Sequence, residues 1–318
     1  MKYKYLFGPV PSRRLGISLG VDLVPHKVCS LNCVYCESGR TTNLTIDRKE
    51  FIPLNKVLLE LDDYLSQKPD LDFITFSGAG EPTLNSGIGK ILSHLKRNYP
   101  QYKIALITNS TLFYNQELRE EIRQIDLLLP SLDAVSDKIF QKMNRPAPAL
   151  KIDNIIDGLI KFRKGFKGDI WLEIFLADGI NDTEQELTLL KQKIKEIKPE
   201  KVQLNSLDRP GTECWIKPVS REKMQKIKEF LEPLPVEIIA KFKSRSQLHS
   251  FHQNIEDQIL ETIRRRPCTD IDLSKMLNIH LNELNKYLST LLEKNFIKTE
   301  AQERGVFFKI ASISKEKT

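Results

Sequence analysis

The chain has 318 residues, 40% of them hydrophobic and 29% charged, with a formal net charge of +7. No apolar run reaches the length of a bilayer span, and the N-terminal MKYKYLFGPVPSRR has no signal-peptide core or cleavage site, so the expectation is a cytoplasmic protein with no membrane contact. The five cysteines are an odd number in a long chain, which argues against a disulfide framework.

In chain order, short β-rich runs alternate with amphipathic charged stretches from about residue 16 to 207. The predicted strands are Ile17–Val24, Phe73–Ser77, Ile104–Thr108, Leu127–Ser131, Trp171–Phe175 and Lys201–Asn205. Helical patterns lie between them at Leu54–Leu65, Ile88–Arg97, Gln116–Gln124, Ile152–Arg163 and Glu184–Ile197. The alternation predicts an α/β fold with parallel strands and helical crossovers. Six strands are too few for a closed eight-stranded barrel. The pattern changes after Lys241–Ser246 (KFKSRS), which reads as a linker. Beyond it come helical patterns at Ile255–Arg266, Asp272–Leu277 and Leu281–Lys294, then short β-like runs at Phe296–Thr299 and Val306–Ile310. Three helices and a hairpin are the pattern of a winged helix. The expected domains are therefore 1–245 and 250–318. The terminal SISKEKT reads as a frayed tail.

Three cysteines fall in Cys29-Ser-Leu-Asn-Cys33-Val-Tyr-Cys36, just after the first strand, while Cys214 and Cys268 stand alone. A local loop that delivers several thiolates suits an iron–sulfur cluster. Three thiolates on a four-iron cube leave one iron open to a further ligand. A Cys3His zinc site with His26, three residues upstream, is the alternative by count. The second strand ends in Ser77-Gly-Ala-Gly80-Glu81-Pro82-Thr83, where glycines permit close backbone approach and a carboxylate suits an ammonium partner. Asn109, Ser131 and Asp133 follow the third and fourth strands, where β/α folds gather their active-site groups; ordinary turn chemistry is the plainer reading of the same residues. Glu173 sits between Leu172 and Ile174 in an apolar strand, so it needs a cation or a polar cavity. Asn205, Asp208 and Arg209 follow the sixth strand, and Arg209 is a candidate contact for an anion.

The C-x3-C-x2-C spacing, with an aromatic residue before the last cysteine, resembles the signature of the radical S-adenosylmethionine (SAM) superfamily. The resemblance covers about residues 7–245 and implies a partial (β/α)6 barrel. It further implies a [4Fe–4S] cluster on Cys29, Cys33 and Cys36 whose open iron chelates the SAM amine and carboxylate. Reductive cleavage would give methionine and a 5′-deoxyadenosyl radical that abstracts a substrate hydrogen. On the same resemblance, SGAGE matches the motif that receives the SAM ammonium, through Gly78, Gly80 and Glu81. Tyr35 matches the aromatic position near the adenine, and Asn109, Ser131, Asp133 and Glu173 would line SAM and substrate. An external low-potential donor such as flavodoxin or ferredoxin is implied.

The loop from Phe7 to Gly20, with Arg13 and Arg14, together with SGAGEPTL, PSLDA and WLEIFL, resembles the branch grouped with wyosine-type tRNA-modifying synthetases. That branch implies a tRNA substrate, to which Arg13, Arg14 and Lys27 would lend charge. The wyosine enzymes' additional cysteines are missing here. A protein partner of the winged helix is the other reading. A different functional class, a redox-sensing regulator that binds nucleic acid or protein through the winged helix, is opposed by SGAGEP, since a pure sensor needs no ammonium site.

Overall fold

The computed structural model of the chain describes residues 3–12, 14–239, 255–277, 279 and 281–311. Arg13, the expected linker at 241–246 and the tail from 312 lie outside the described residues.

The elements in chain order are β1 (Leu6–Ser12), β2 (Gly16–Val21), β3 (Val28–Cys29), β4 (Asn43–Leu44), α1 (Leu54–Leu65), β5 (Phe73–Phe76), α2 (Ile88–Asn98), β6 (Lys103–Thr108), α3 (Gln116–Glu121), β7 (Leu127–Pro130), α4 (Asp137–Asn144) and α5 (Ile152–Gly165). There follow β8 (Asp169–Leu176), α6 (Glu184–Ile197), β9 (Lys201–Ser206), α7 (Arg221–Leu231) and β10 (Val236–Ile238). One eight-stranded sheet runs β1-β2-β5-β6-β7-β8-β9-β10. Only β1 pairs antiparallel; every other neighbour in it is parallel. The sheet is open, with β1 and β10 at its edges, so the six expected strands form a partial barrel extended by one strand at each side. β1 had the look of a loop because it carries Pro9 and Pro11. An edge strand tolerates proline, since a missing N–H there breaks no ladder on the outer side.

Strand alternation divides the sheet into two faces. Leu19, Val21, Ile74, Phe76, Ile104 and Leu106 point to the helices and share their core with Leu61, Leu92, Leu159 and Leu190. α2 shows how a helix joins this core: Ile88, Ile91, Leu92 and Leu95 form an i, i+3, i+4, i+7 stripe and are all buried. The lumen holds a smaller cluster of Leu15, Ala105, Leu127 and Leu129. The lumenal positions nearer the strand C-termini turn polar at Ser131, Glu173 and Asn205. The fold thus fills one end of its barrel with hydrocarbon and leaves the other end for chemistry.

The C-terminal elements are α8 (Ile255–Arg265), β11 (Cys268–Thr269), α9 (Asp270–Leu277), α10 (Leu281–Glu293), β12 (Ile297–Gln302) and β13 (Gly305–Ile310). They form their own three-stranded sheet, β11-β13-β12, and their own core of Ile259, Ile263, Leu273, Leu284, Leu288, Leu291 and Ile297. The predicted helices and hairpin are present, α9 starts two residues early, and Cys268–Thr269 supplies an unforeseen third strand. Among the described residues no helix is long and apolar enough to cross a membrane.

Candidate functional site

The cysteine loop leaves the short strand β3 at Cys29 and crosses the C-terminal end of the sheet. All three thiols are partly buried, and each sulfur faces one side-chain N–H donor, with the Leu31 backbone N–H also on Cys29. Lys27 Nζ donates to Cys36 Sγ at 3.1 Å, Asn109 Nδ2 to Cys29 Sγ at 3.4 Å and Asn144 Nδ2 to Cys33 Sγ at 3.5 Å. These donors come from the residue just ahead of β3, from the end of β6 and from the end of α4. Burial, then the charge of Glu81, pushes the Cys29 thiol up to about 12. Burial and the neighbouring Cys36 raise Cys33 well above the usual thiol range. Left alone Cys29 and Cys33 hold their protons; a positively charged metal centre is what would draw thiolates here. The three donors then suit the charge such ligands carry.

No three His, Cys, Asp or Glu side chains among the described residues converge as ligands of one metal ion. The His26 ring is taken up by a hydrogen bond to the backbone of Arg264 rather than by the thiols. The Cys3His zinc alternative is therefore not built. A cube with one thiolate per iron does not require three sulfurs to meet at a point, so the donor set fits a four-iron cluster.

The SGAGE segment follows β5 and lies against the cysteine loop. Lys27 N donates to Ala79 O at 2.9 Å and Glu81 N to Val28 O at 3.0 Å. A Cβ on Gly80 would fall 2.2 Å from the backbone oxygen of Val28, and one on Gly78 would fall 1.6 Å from Asp22 Oδ1 and force that carboxylate aside. Glu81 is 2% exposed. Its Oε1 accepts from Thr83 N, Thr83 Oγ1 and Thr108 Oγ1, and its Oε2 from Asn109 N at 2.8 Å. Burial raises its pKa while these donors pull it back. In this structure the carboxylate serves four protein donors and buckles the glycine loop to the end of β6. Asn109 extends the same network, with Nδ2 also on Ser30 Oγ at 2.9 Å.

Asp133 is a second buried node, 4% exposed. Its carboxylate accepts from the Tyr35 hydroxyl, from Asn144 Nδ2 at 2.8 Å and from Phe175 N at 2.9 Å. Burial raises its pKa against those bonds. The Tyr35 ring stacks on Phe175 at 3.9 Å and 10°, which anchors the residue before Cys36 to β8. Ser131 bridges to Glu173 at the next strand and stays partly exposed. Glu173 finds the cation its apolar strand demanded: it forms an ion pair with Arg14 and accepts from Asn205 Nδ2 at 3.3 Å.

Arg209 is completely buried. Its guanidinium lies 3.3 Å from Glu37, next to Cys36, and 3.7 Å from Asp272 of α9. Arg304, from the β12–β13 turn, pairs with both Asp272 and Asp208. Cys214 is exposed and Cys268 lies in the C-terminal core, so neither joins the three-thiol loop.

Sequence reasoning missed Asn144, treated Lys27 only as surface charge and passed over Asp22. Asp22 lies beneath the SGAGE loop, bonded to the backbone of Ala79, and pairs with Arg265 of α8. No local pattern marks these residues, because each acts on a segment far away in sequence or through the backbone conformation of a loop.

Comparison with known proteins agrees with this geometry. The family model for the radical SAM superfamily matches residues 23–190, from just before the cysteine loop into α6. A UPF0026 protein of Methanocaldococcus jannaschii is 34% identical over 312 residues, covering 95% of each chain. A protein of Brachyspira hyodysenteriae named GTPase Obg is 36% identical over 295 residues, covering 92% of this chain, and the chain spans only 43% of that protein's length. Among solved structures, a radical SAM methyltransferase from Sphaerobacter thermophilus superposes with a TM-score of 0.52 at 19% identity. That match covers 70% of this chain and 65% of the other, and it speaks for the fold alone.

Proposed function

Because this chain belongs to the radical SAM superfamily and to the UPF0026 proteins, we propose that Cys29, Cys33 and Cys36 hold the [4Fe–4S] cluster at which it reductively cleaves SAM, for chemistry on a substrate in its barrel. Enzymes of this superfamily use such a cluster together with SAM, and the reduced cluster supplies the electron that splits SAM into methionine and a 5′-deoxyadenosyl radical. The observation that carries the reading is the set of three side-chain N–H donors, one to each sulfur, beside a loop whose glycines pack directly on Asp22 and on the Val28 backbone.

In this reading Gly78 and Gly80 bring backbone groups up to the methionine end of SAM. Glu81 holds that loop in place through its four bonds rather than by facing the ligand alone. Asn109 joins the loop to Cys29, and Ser131 and Glu173 line the approach from β7 and β8. Asp133 fixes Tyr35, and with it the backbone next to Cys36. Radical SAM enzymes generally need an external electron donor; a flavodoxin or ferredoxin in the cytoplasm fits that need. The 255–311 unit has the order of elements of a winged helix. From 249 to 318 it carries 11 Lys and Arg against 10 Asp and Glu, a balance that favours docking a protein or positioning a tRNA over a basic DNA-reading stripe.

The test is electron paramagnetic resonance of the anaerobically reconstituted, reduced protein. SAM bound at the open iron is expected to change the cluster's spectrum. A reduced four-iron signal that saturating SAM leaves unchanged overturns the reading.

A further inference from the structure

A cavity of about 300 Å³ lies between the barrel lumen and the C-terminal unit. Ser18, Thr75 and Ser77 form its barrel wall, and Thr262, Arg265 and Met276 form the wall opposite. It also reaches Gly78, the glycine under which Asp22 packs. On the reading above, a molecule in this cavity lies beside SAM.

Arg265 dominates the C-terminal wall. Its guanidinium stacks 3.7 Å above the Phe7 ring and pairs with Asp22. Its own carbonyl accepts from Ser38 Oγ at 2.6 Å, two residues past Cys36. Arg265 Nε is buried and has no hydrogen-bond partner among the described residues. A buried donor left unpaired is costly, and an acceptor-bearing ligand removes the cost. The carboxylates on this wall are already engaged: Glu37 pairs with Arg209 and Glu261 with Arg264. The hydroxyls of Ser18 and Thr75 bond each other at 2.6 Å and have acceptor capacity left over. Phe7, Leu15 and Ile107 add apolar surface, and Arg14, already paired with Glu173, and Arg266 add further positive charge to the lining.

We propose that this cavity is the substrate site, that its ligand is a small molecule with a carboxylate or phosphate group received by Arg265, and that the C-terminal unit is a wall of the active site. The inference rests on the radical SAM reading for its link to catalysis. The volume stands at the small end of ligand pockets, which span about 300–1,000 Å³, so a metabolite-sized molecule fits. In this position the C-terminal unit presents Thr262, Arg265 and Met276 to the substrate, whatever its outer faces dock.

The test uses the full chain with its cluster and SAM, in equilibrium dialysis against radiolabelled inorganic phosphate and, separately, radiolabelled acetate. Saturable binding of at least one anion is expected, one per chain, and the two arms tell phosphate from carboxylate preference. Arg265→Gln should weaken it about tenfold or more, the scale of a charge-assisted hydrogen bond. Arg265→Lys keeps a cation for Asp22 and deletes Nε, so it should weaken binding even if the glutamine variant is misfolded. Absence of saturable binding by both anions overturns the proposal, as does binding that neither variant alters. Bulk tRNA that binds the wild type and is lost in Arg265→Lys, with no anion binding, overturns it in favour of a nucleic-acid substrate. The cluster's spectral response to SAM is read separately, so failure of the cavity proposal is distinguishable from failure of the SAM reading.

Discussion

Gly80→Ala is the sharpest perturbation of the site that leaves every ligand in place. The added Cβ would lie 2.2 Å from Val28 O and 2.7 Å from Val24 Cγ2. Comfortable separation of such atoms is roughly 3.5 Å, so the SGAGE and cysteine loops must part by about 1 Å. The atom met is backbone and cannot swing aside. Parting the loops strains the two bonds that join them, Lys27 N to Ala79 O and Glu81 N to Val28 O. Each backbone bond is worth about 0.5–1.5 kcal/mol, and overpacking costs about 1–3 kcal/mol. The expected loss is therefore about 2–6 kcal/mol, a large share of a typical total of about 5–15 kcal/mol. Gly165→Ala is the control, since its Cβ would meet the movable end of Arg123 at 2.8 Å. Anaerobic urea unfolding and iron content per chain measure both effects. A Gly80→Ala protein with the wild-type midpoint and full iron loading would refute the claim that the two loops form one unit.

Cys29→Ala, Cys33→Ala and Cys36→Ala should each abolish or severely reduce iron uptake, whereas Cys214→Ala and Cys268→Ala should retain about four irons per chain by iron and sulfide analysis. Lys27→Met removes a cation 3.1 Å from Cys36 Sγ. It should make the cluster's reduction potential more negative, by about 60 mV for each 1.4 kcal/mol of differential stabilisation lost, as read by spectroelectrochemistry. Glu81→Ala strands four buried donors and should cost about 2–5 kcal/mol, lowering cluster retention together with SAM affinity; a protein of unchanged stability would contradict the buckle. Burial and the bond to Asp63 raise Tyr3 from 10.0 to about 12. A raised folded pKa stabilises the protonated form, so this contribution is intact below about pH 10 and disappears as pH climbs to about 12. Tyr3→Phe should flatten the unfolding free energy over that window, and a slope that persists would assign it elsewhere.

The legible parts of this protein are the local ones. The three cysteines and the two glycines sit in short motifs whose spacing carries their chemistry. The six parallel strands announced themselves as apolar runs between amphipathic helices. β1 did not, because prolines that an edge strand tolerates read as a loop. α4 was too short for its periodicity to stand out, yet it delivers Asn144 to Cys33. The ion pair of Arg14 with Glu173 spans 159 positions and that of Arg265 with Asp22 spans 243. Pairings over such distances depend on tertiary packing, which no periodicity reports. The need of Glu173 for a cation was readable from its apolar neighbours; the identity of that cation was not. The same limit hid the docking of the C-terminal unit, since Arg209, Asp272 and Arg304 are ordinary charges until the fold assembles them.

The central claim is tested most directly by incubating the anaerobically reconstituted, dithionite-reduced full chain with SAM and quantifying products by chromatography and mass spectrometry. The account predicts 5′-deoxyadenosine and methionine in equal amounts, dependent on reductant and lost in Cys33→Ala. Protein that holds about four irons per chain and a reducible cluster, yet yields no 5′-deoxyadenosine above the cysteine variant, would contradict it.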